Sequence, residues 1–157
     1  MGMQGSGKST IGELLAQRIG VPFIDGDSLH SVANKQWMAA GHALSDAQRL
    51  PWLHKIGERL ALSDGSGVVV ACSALKRSYR DLLREYAPTM LTIFARGPIG
   101  LIEARIAARR HEYMPISLLQ TQLDDLEERQ ADEPGLKVDI ATTPEWIVER
   151  IMKGISE

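Results

Sequence analysis

The sequence is short of cysteine, of aromatic side chains and of long apolar runs, and each shortage removes a class of protein. Cys72 stands alone, which excludes an intrachain disulfide framework and fits a reducing compartment. No apolar stretch approaches the roughly 18 residues that a membrane helix requires. The chain also does not open on a charged segment followed by an apolar run, as a secretory signal would. Neither charge sign dominates: 18 Lys and Arg against 20 Asp and Glu leave a net charge of -2, so no global basic field draws in a polyanion. Aromatic residues make up 5%, and no basic or aromatic-rich stretch supports nucleic-acid binding. Neither nucleic acid nor a membrane is an expected partner. What is present, 157 residues with 44% hydrophobic content, suits one cytoplasmic domain over residues 1–157 with a core of its own.

Apolar spacing alternates between helical and strand periods, with no repeat and no low-complexity linker. Ile11, Leu14, Leu15 and Ile19 recur at helical spacing up to Gly20, and Val21–Ile24 reads as a short buried strand running into Asp25-Gly26-Asp27. The pattern predicts helices at 28–40 and 46–62, the second opened by the cap-like pair Ser45-Asp46. Gly67–Cys72 is a continuous β-branched run of the kind found in a strand covered on both faces. A helix over 75–86, a strand over 91–95, helices over 99–110 and 115–129, a strand at 138–140 and a helix over 144–155 opened by Pro144 complete the chain. Strand alternating with helix implies an α/β fold, a parallel sheet with helices on both faces.

The chain begins on a complete G-x-x-x-x-G-K-[ST] loop, Gly2-Met3-Gln4-Gly5-Ser6-Gly7-Lys8-Ser9, with Thr10 following. Glycines let such a backbone wrap a phosphate with its N–H groups inward, and the helix starting near Gly7 adds the positive end of its dipole. Lys8 then reaches the outer phosphates, and the Ser9 hydroxyl is a ligand for magnesium. In a doubly wound sheet, ligands sit beyond the carboxyl ends of the strands, where Asp25-Gly26-Asp27 falls. Carboxylates one residue apart on extended chain point in different directions, so one faces a metal and the other a substrate hydroxyl. After the strand at 67–72, Lys76 and Arg80 are four residues apart; on a helix they either clamp an anionic substrate or lie as solvated surface charges. Arg105, Arg109 and Arg110 form a second basic cluster, suited to fold over a transferred phosphate or simply to complement a helix C-terminus.

Taken together, "GSGKST", "FIDGDSLH", "LSDAQRLPWL", "CSALKRSYRDLLR" and "MPISLLQTQLDDLE", in that order and spacing, resemble the gluconokinases of the shikimate-kinase-like branch of P-loop kinases. The resemblance implies a three-layer α/β/α fold of five parallel strands with a mobile lid near residues 110–117, using ATP and Mg2+ to phosphorylate D-gluconate, often as a homodimer. It implies that Asp27 orients or deprotonates the attacking hydroxyl and that Asp25 holds magnesium beside Ser9. His30, Arg49, Lys76 and Arg80 would line the acid-sugar pocket, with Arg49 facing the carboxylate, while Arg105 and Arg109 act from the lid and Gln122 supports it. Shikimate kinases carry a glycine-rich stretch where this chain has "CSALKRSYR", which favours gluconate over shikimate; a nucleotide-binding protein without catalysis is the remaining alternative.

The pattern also departs from that family. Ser31 stands where proline is usual, Trp37 where lysine is usual, Gln48 where an acidic residue is common, and His111-Glu112 where the lid reads Gly-His. The family's first strand is absent, with Met1 at its last position. That strand would sit in mid-sheet and aim the loop, so Met1 is expected to be an internal methionine of a longer chain, and a chain starting there is expected to be poorly stable and largely inactive.

Overall fold

The computed structural model describes residues 1–109, 115 and 117–156. Strand and helix alternate nearly as the periodicity predicts. Helix α1 (Lys8–Ile19) is closed by Gly20 in the left-handed region, whose N–H reaches back to Ala16 and Gln17. Strand β1 (Phe23–Asp25) leads into a 3-10 turn, Gly26–Leu29, and then helix α2 (Val32–Ala39). The single helix expected over 28–40 is therefore split: Ser31 adopts extended backbone and its hydroxyl accepts the Asn34 N–H, which caps a new helix. Helix α3 (Asp46–Leu62) begins at the expected residue because Ser45 and Gln48 form a reciprocal capping box. Strand β2 (Val69–Ala71), helix α4 (Arg77–Tyr86), strand β3 (Thr92–Arg96) and helix α5 (Ile99–Ala108) follow. Helix α6 (Leu118–Asp125), strand β4 (Gly135–Asp139) and helix α7 (Pro144–Ser156) complete the described elements.

Four strands form two parallel pairs, β1 with β2 and β3 with β4, among the described residues. The resemblance implies five strands with the first absent here, and the four described strands leave their gap where that strand is expected, between β2 and β3. Helices cover both faces. One core cluster joins α1, α5 and α7 to the strands through Ile11, Leu15, Ile102, Ile147 and Ile151; a second joins α3 and α4 through Leu53, Ile56 and Leu83. The first takes in Ala95 of β3 and Val138 of β4, and the second packs on Val70 of β2 and Cys72 just after it.

The backbone of Met1 and Gly2 closes the seam between the pairs. On one side the Met1 nitrogen donates to Ile93 O at 2.5 Å and Met1 O accepts from Ala95 at 2.9 Å; on the other, Gly2 N–H donates to Ser73 O at 3.2 Å. This is the last rung of a parallel ladder on both sides at once. Behind it lies a cavity of about 470 Å³ whose walls include Val69, Val70, Cys72, Ile93 and Ile151. Burial there pushes the Met1 amine down to about 5, with the nearby Lys8 charge acting in the same direction, and the Cys72 thiol up to about 12.

The shape and lining of this cavity generate a prediction. An apolar β-branched segment of about five residues fused ahead of Met1 is expected to raise Tm by on the order of 10 °C, since each kcal/mol is worth about 2–4 °C in a domain of this size. The same segment interrupted by proline should give little gain, because proline removes a ladder donor. Thermal denaturation of the two fusions beside the parent chain provides the check, and an unchanged Tm in the first would mean that the cavity does not accept a strand.

Candidate active site

The phosphate loop takes its shape from glycines at positions no other residue suits. Gly5 has φ +77°, and a Cβ there would lie 2.8 Å from Ile106 Cγ1. Gly7, at φ +84°, is the N-cap of α1, and no side chain caps that helix, so its first-turn N–H groups and positive dipole end are left for an anion. Lys8 Nζ reaches across the loop to Met3 O at 2.8 Å. Burial pushes the Lys8 ammonium below its ordinary pKa, while Asp27 and, more weakly, Asp25 pull it back; a buried cation with carboxylates in range is electrostatically prepared for phosphate. Gly2, Met3 and Ser6 are buried, shaping the loop from within. Gln4, Gly5, Gly7, Lys8, Ser9 and Thr10 line a cleft of about 260 Å³.

Asp25, Asp27, His30, Arg49 and Arg109 line the same cleft, so the structure brings together residues from the loop, the end of β1, α3 and the end of α5. Asp25 Oδ1 accepts the Asp27 N–H at 3.0 Å, which caps the 3-10 turn. His30 stacks on Trp52, ring centroids 4.2 Å apart and planes 13° from parallel, and the Trp52 indole donates to Gly26 O at 2.7 Å. Burial, helped by the positive charges of Arg49 and Lys35, pushes His30 down to about 4, so the ring is neutral at physiological pH. Its Nδ1 is buried without a protein partner.

Arg49 sits at the far side in a set of four charges. Its Nη1 donates to Tyr79 Oη at 3.0 Å and to Asp125 Oδ2 at 3.1 Å. Tyr79 in turn donates to Asp46, and Lys76 Nζ pairs with Asp46 at 3.0 Å and approaches Asp125 at 3.6 Å. With Nη1 committed, the Nε–Nη2 edge of Arg49 remains for a planar carboxylate.

Three expected site residues are placed otherwise. Arg80 is 1% exposed and turned into the interior, where its guanidinium forms a bidentate pair with Glu133 at 2.6 and 2.9 Å and donates to Ala74 O and Leu75 O at 3.0 Å each. It pins the turn containing Ala74, whose φ is +41°, and does not reach the cleft. Lys76 is the N-cap of α4 rather than part of it, so helical spacing does not place it beside Arg80; it stands behind Arg49 in the charge cluster. Arg105 donates to Ile140 O, just past β4, at 2.8 Å, and its guanidinium lies beside Gly7. The expected lid and Arg110 fall mostly on residues 110–114 and 116, outside the described residues.

Sequence reasoning assigned no site role to Tyr79, Asp46, Asp125 or Trp52. All lie inside quoted motifs, Tyr79 in "CSALKRSYRDLLR", Asp46 in "LSDAQRLPWL" and Asp125 in "MPISLLQTQLDDLE", but nothing in the sequence marked their shared cluster. The departures at Ser31 and Gln48 are explained locally, as the caps of α2 and α3. Trp37 donates to Ala43 O at 3.1 Å and lies against His42.

An uncapped helix start with a buried lysine beside it suits a polyphosphate. A carboxylate within electrostatic range of that lysine suits a hydroxyl acceptor, and the class this defines is a P-loop small-molecule kinase. Comparison with known proteins narrows it. The shikimate kinase family model matches residues 4–134. The gluconokinase of Arabidopsis thaliana is 40% identical, over 99% of this chain and 90% of its own, and the thermoresistant gluconokinase of Escherichia coli K12 is 38% identical over 100% and 91%. The crystal structure of a gluconokinase from Sinorhizobium meliloti 1021 superposes with a TM-score of 0.90 at 46% identity, covering 99% of this chain and 89% of that one. The chain belongs to the gluconokinase family within the shikimate-kinase-like P-loop kinases.

Two predictions follow from the placements of Arg80 and His30. Arg80→Ala leaves Glu133 buried and unpaired and is expected to cost about 3–5 kcal/mol, read as a fall in Tm of about 10 °C; a Tm within about 2 °C of the parent would contradict the role. The unfolded chain protonates His30 near 6.5 and the folded protein only near 4. The His30 contribution to stability is therefore complete above about pH 6.5 and is lost as pH falls toward 4. Denaturant titrations between about pH 7.5 and 4.5 should show a shallower loss for His30→Gln than for the parent.

Proposed function

We propose that the protein transfers the γ-phosphoryl group of ATP to the terminal hydroxyl of D-gluconate, giving 6-phosphogluconate. The observation that carries this reading is one cleft lined at once by the phosphate loop, by Asp27 and by Arg49. Phosphoryl transfer asks a protein mainly for position and charge neutralisation. Lys8 and the N–H groups at the start of α1 hold the outer phosphates, and Arg109 offsets charge on the transferred group. Asp27 orients the acceptor hydroxyl and takes its proton, and the Nε–Nη2 edge of Arg49 receives the carboxylate. His30, neutral and with Nδ1 unpartnered, binds a hydroxyl of the polyol chain.

The donor set fits magnesium. Ser9 and Asp25 offer hard oxygen ligands in the cleft, Asp25 keeping one carboxylate oxygen beyond that given to Asp27. No group of three or more His, Cys, Asp or Glu converges among the described residues, which suits an ion held by few side chains plus substrate phosphates. When bound, magnesium neutralises charge on the β- and γ-oxygens. A cytoplasmic location and a homodimer belong to the same reading.

The test is a coupled assay for 6-phosphogluconate with ATP, magnesium and D-gluconate, run beside shikimate. Turnover with gluconate alone supports the proposal; turnover with shikimate and not gluconate refutes it. Lys8→Ala should lower turnover by at least about 1,000-fold with Tm preserved, through lost charge stabilisation of the transition state. Asp27→Asn should bind ATP as the parent does and lose about 100-fold or more in kcat. Parental rates in either variant would remove that residue from the mechanism.

A further inference from the structure

Helix α6 supplies side chains to both ends of the cleft. Gln122, 8% exposed, accepts the backbone N–H of Gln4 in the phosphate loop on its Oε1 at 2.7 Å. Asp125, three residues on and so on the same face of the helix, accepts Arg49 Nη1 at 3.1 Å and lies 3.6 Å from Lys76 Nζ. The first contact fixes one shoulder of the loop. The second, with the Tyr79 hydroxyl, takes both protons of Arg49 Nη1, so the guanidinium cannot turn without breaking two hydrogen bonds at once.

The geometry points to α6 as a positioning helix for both substrates, with Gln122 setting the phosphate loop for nucleotide and Asp125 setting Arg49 for the carboxylate. Acid-sugar recognition is then specified in part by a residue that never touches the sugar. The charge balance explains why the support is acidic. Arg49 and Lys76 are matched by Asp46 and Asp125, so the cluster carries no net charge and attracts no anion indiscriminately. Affinity comes from the bidentate edge of one fixed guanidinium, which a planar carboxylate fits and a lone cation would not supply. This inference rests on the reading of Arg49 as the carboxylate partner.

Calorimetric titration of the full chain with D-gluconate and, separately, with ADP tests it. Asp125→Asn is expected to weaken gluconate about tenfold or more, the loss of one charge-assisted contact to Arg49, and to leave ADP within about twofold. Gln122→Leu is expected to show the reverse. In an Arg49→Ala background Asp125→Asn should add nothing, because it acts only through Arg49. Two results overturn the proposal: effects of Asp125→Asn and Arg49→Ala that multiply, or a single variant that weakens both ligands alike. Gluconate binding unchanged in Arg49→Ala would instead refute the carboxylate role of Arg49, leaving the Gln122 arm to stand or fall on ADP. If Asp125→Asn does not fold, Asp125→Glu, which keeps the charge and lengthens the arm, should weaken gluconate alone.

Discussion

The backbone of two residues, Met1 and Gly2, holds the two halves of this molecule in register. Their hydrogen bonds to Ile93, Ala95 and Ser73 join the two strand pairs directly through the backbone. They also deliver the chain into the phosphate loop at a fixed height above the strand ends. In a parallel α/β fold the ligand site is built where strands stop, so the precision of that junction becomes the precision of the cleft. Gln122 then steadies the loop from a further side, through Gln4 N–H.

The cleft divides its electrostatics into unlike ends. At the loop, a buried lysine and an uncapped helix start leave positive potential unspent for a highly charged ligand. At the other end, cations and carboxylates cancel, and recognition rests on the direction of hydrogen bonds rather than on field. A sugar acid with one carboxylate and many hydroxyls suits such an end: a strong local field there would draw in nucleotide phosphates and blur the two sites. Neutral His30, locked on Trp52, adds an uncharged ring to the same end.

Much of this was legible in the sequence because it is local. The phosphate loop is fixed by glycines and a lysine at set spacing, α3 by Ser45 and Gln48, and the run at Gly67–Cys72 by the β-branched side chains of a strand covered on both faces. What escaped was non-local. Arg80 looked like the partner of Lys76 because both were assigned to one helix; α4 starts at Arg77, and Glu133, which claims Arg80, is 53 residues away. Asp125 lay in a quoted motif, but its role was not legible because its neighbours Arg49 and Lys76 come together only when α3, α4 and α6 converge. The turn at Ser31 lay hidden within a continuous helical pattern, since a serine acts as a cap only when the chain before it is extended.

Cys72 lines the cavity behind Met1, 6% exposed and with its thiol pushed up to about 12. A thiolate is the reactive form, so this sulfur is chemically silent while the seam stays shut. Burial between the strand pairs is the main cause of that upward push, with Asp27 and Lys8 of the cleft close enough to contribute. Thiol reactivity at this position therefore reports how often the halves of the sheet part, a motion that passes into the phosphate loop through Met1 and Gly2.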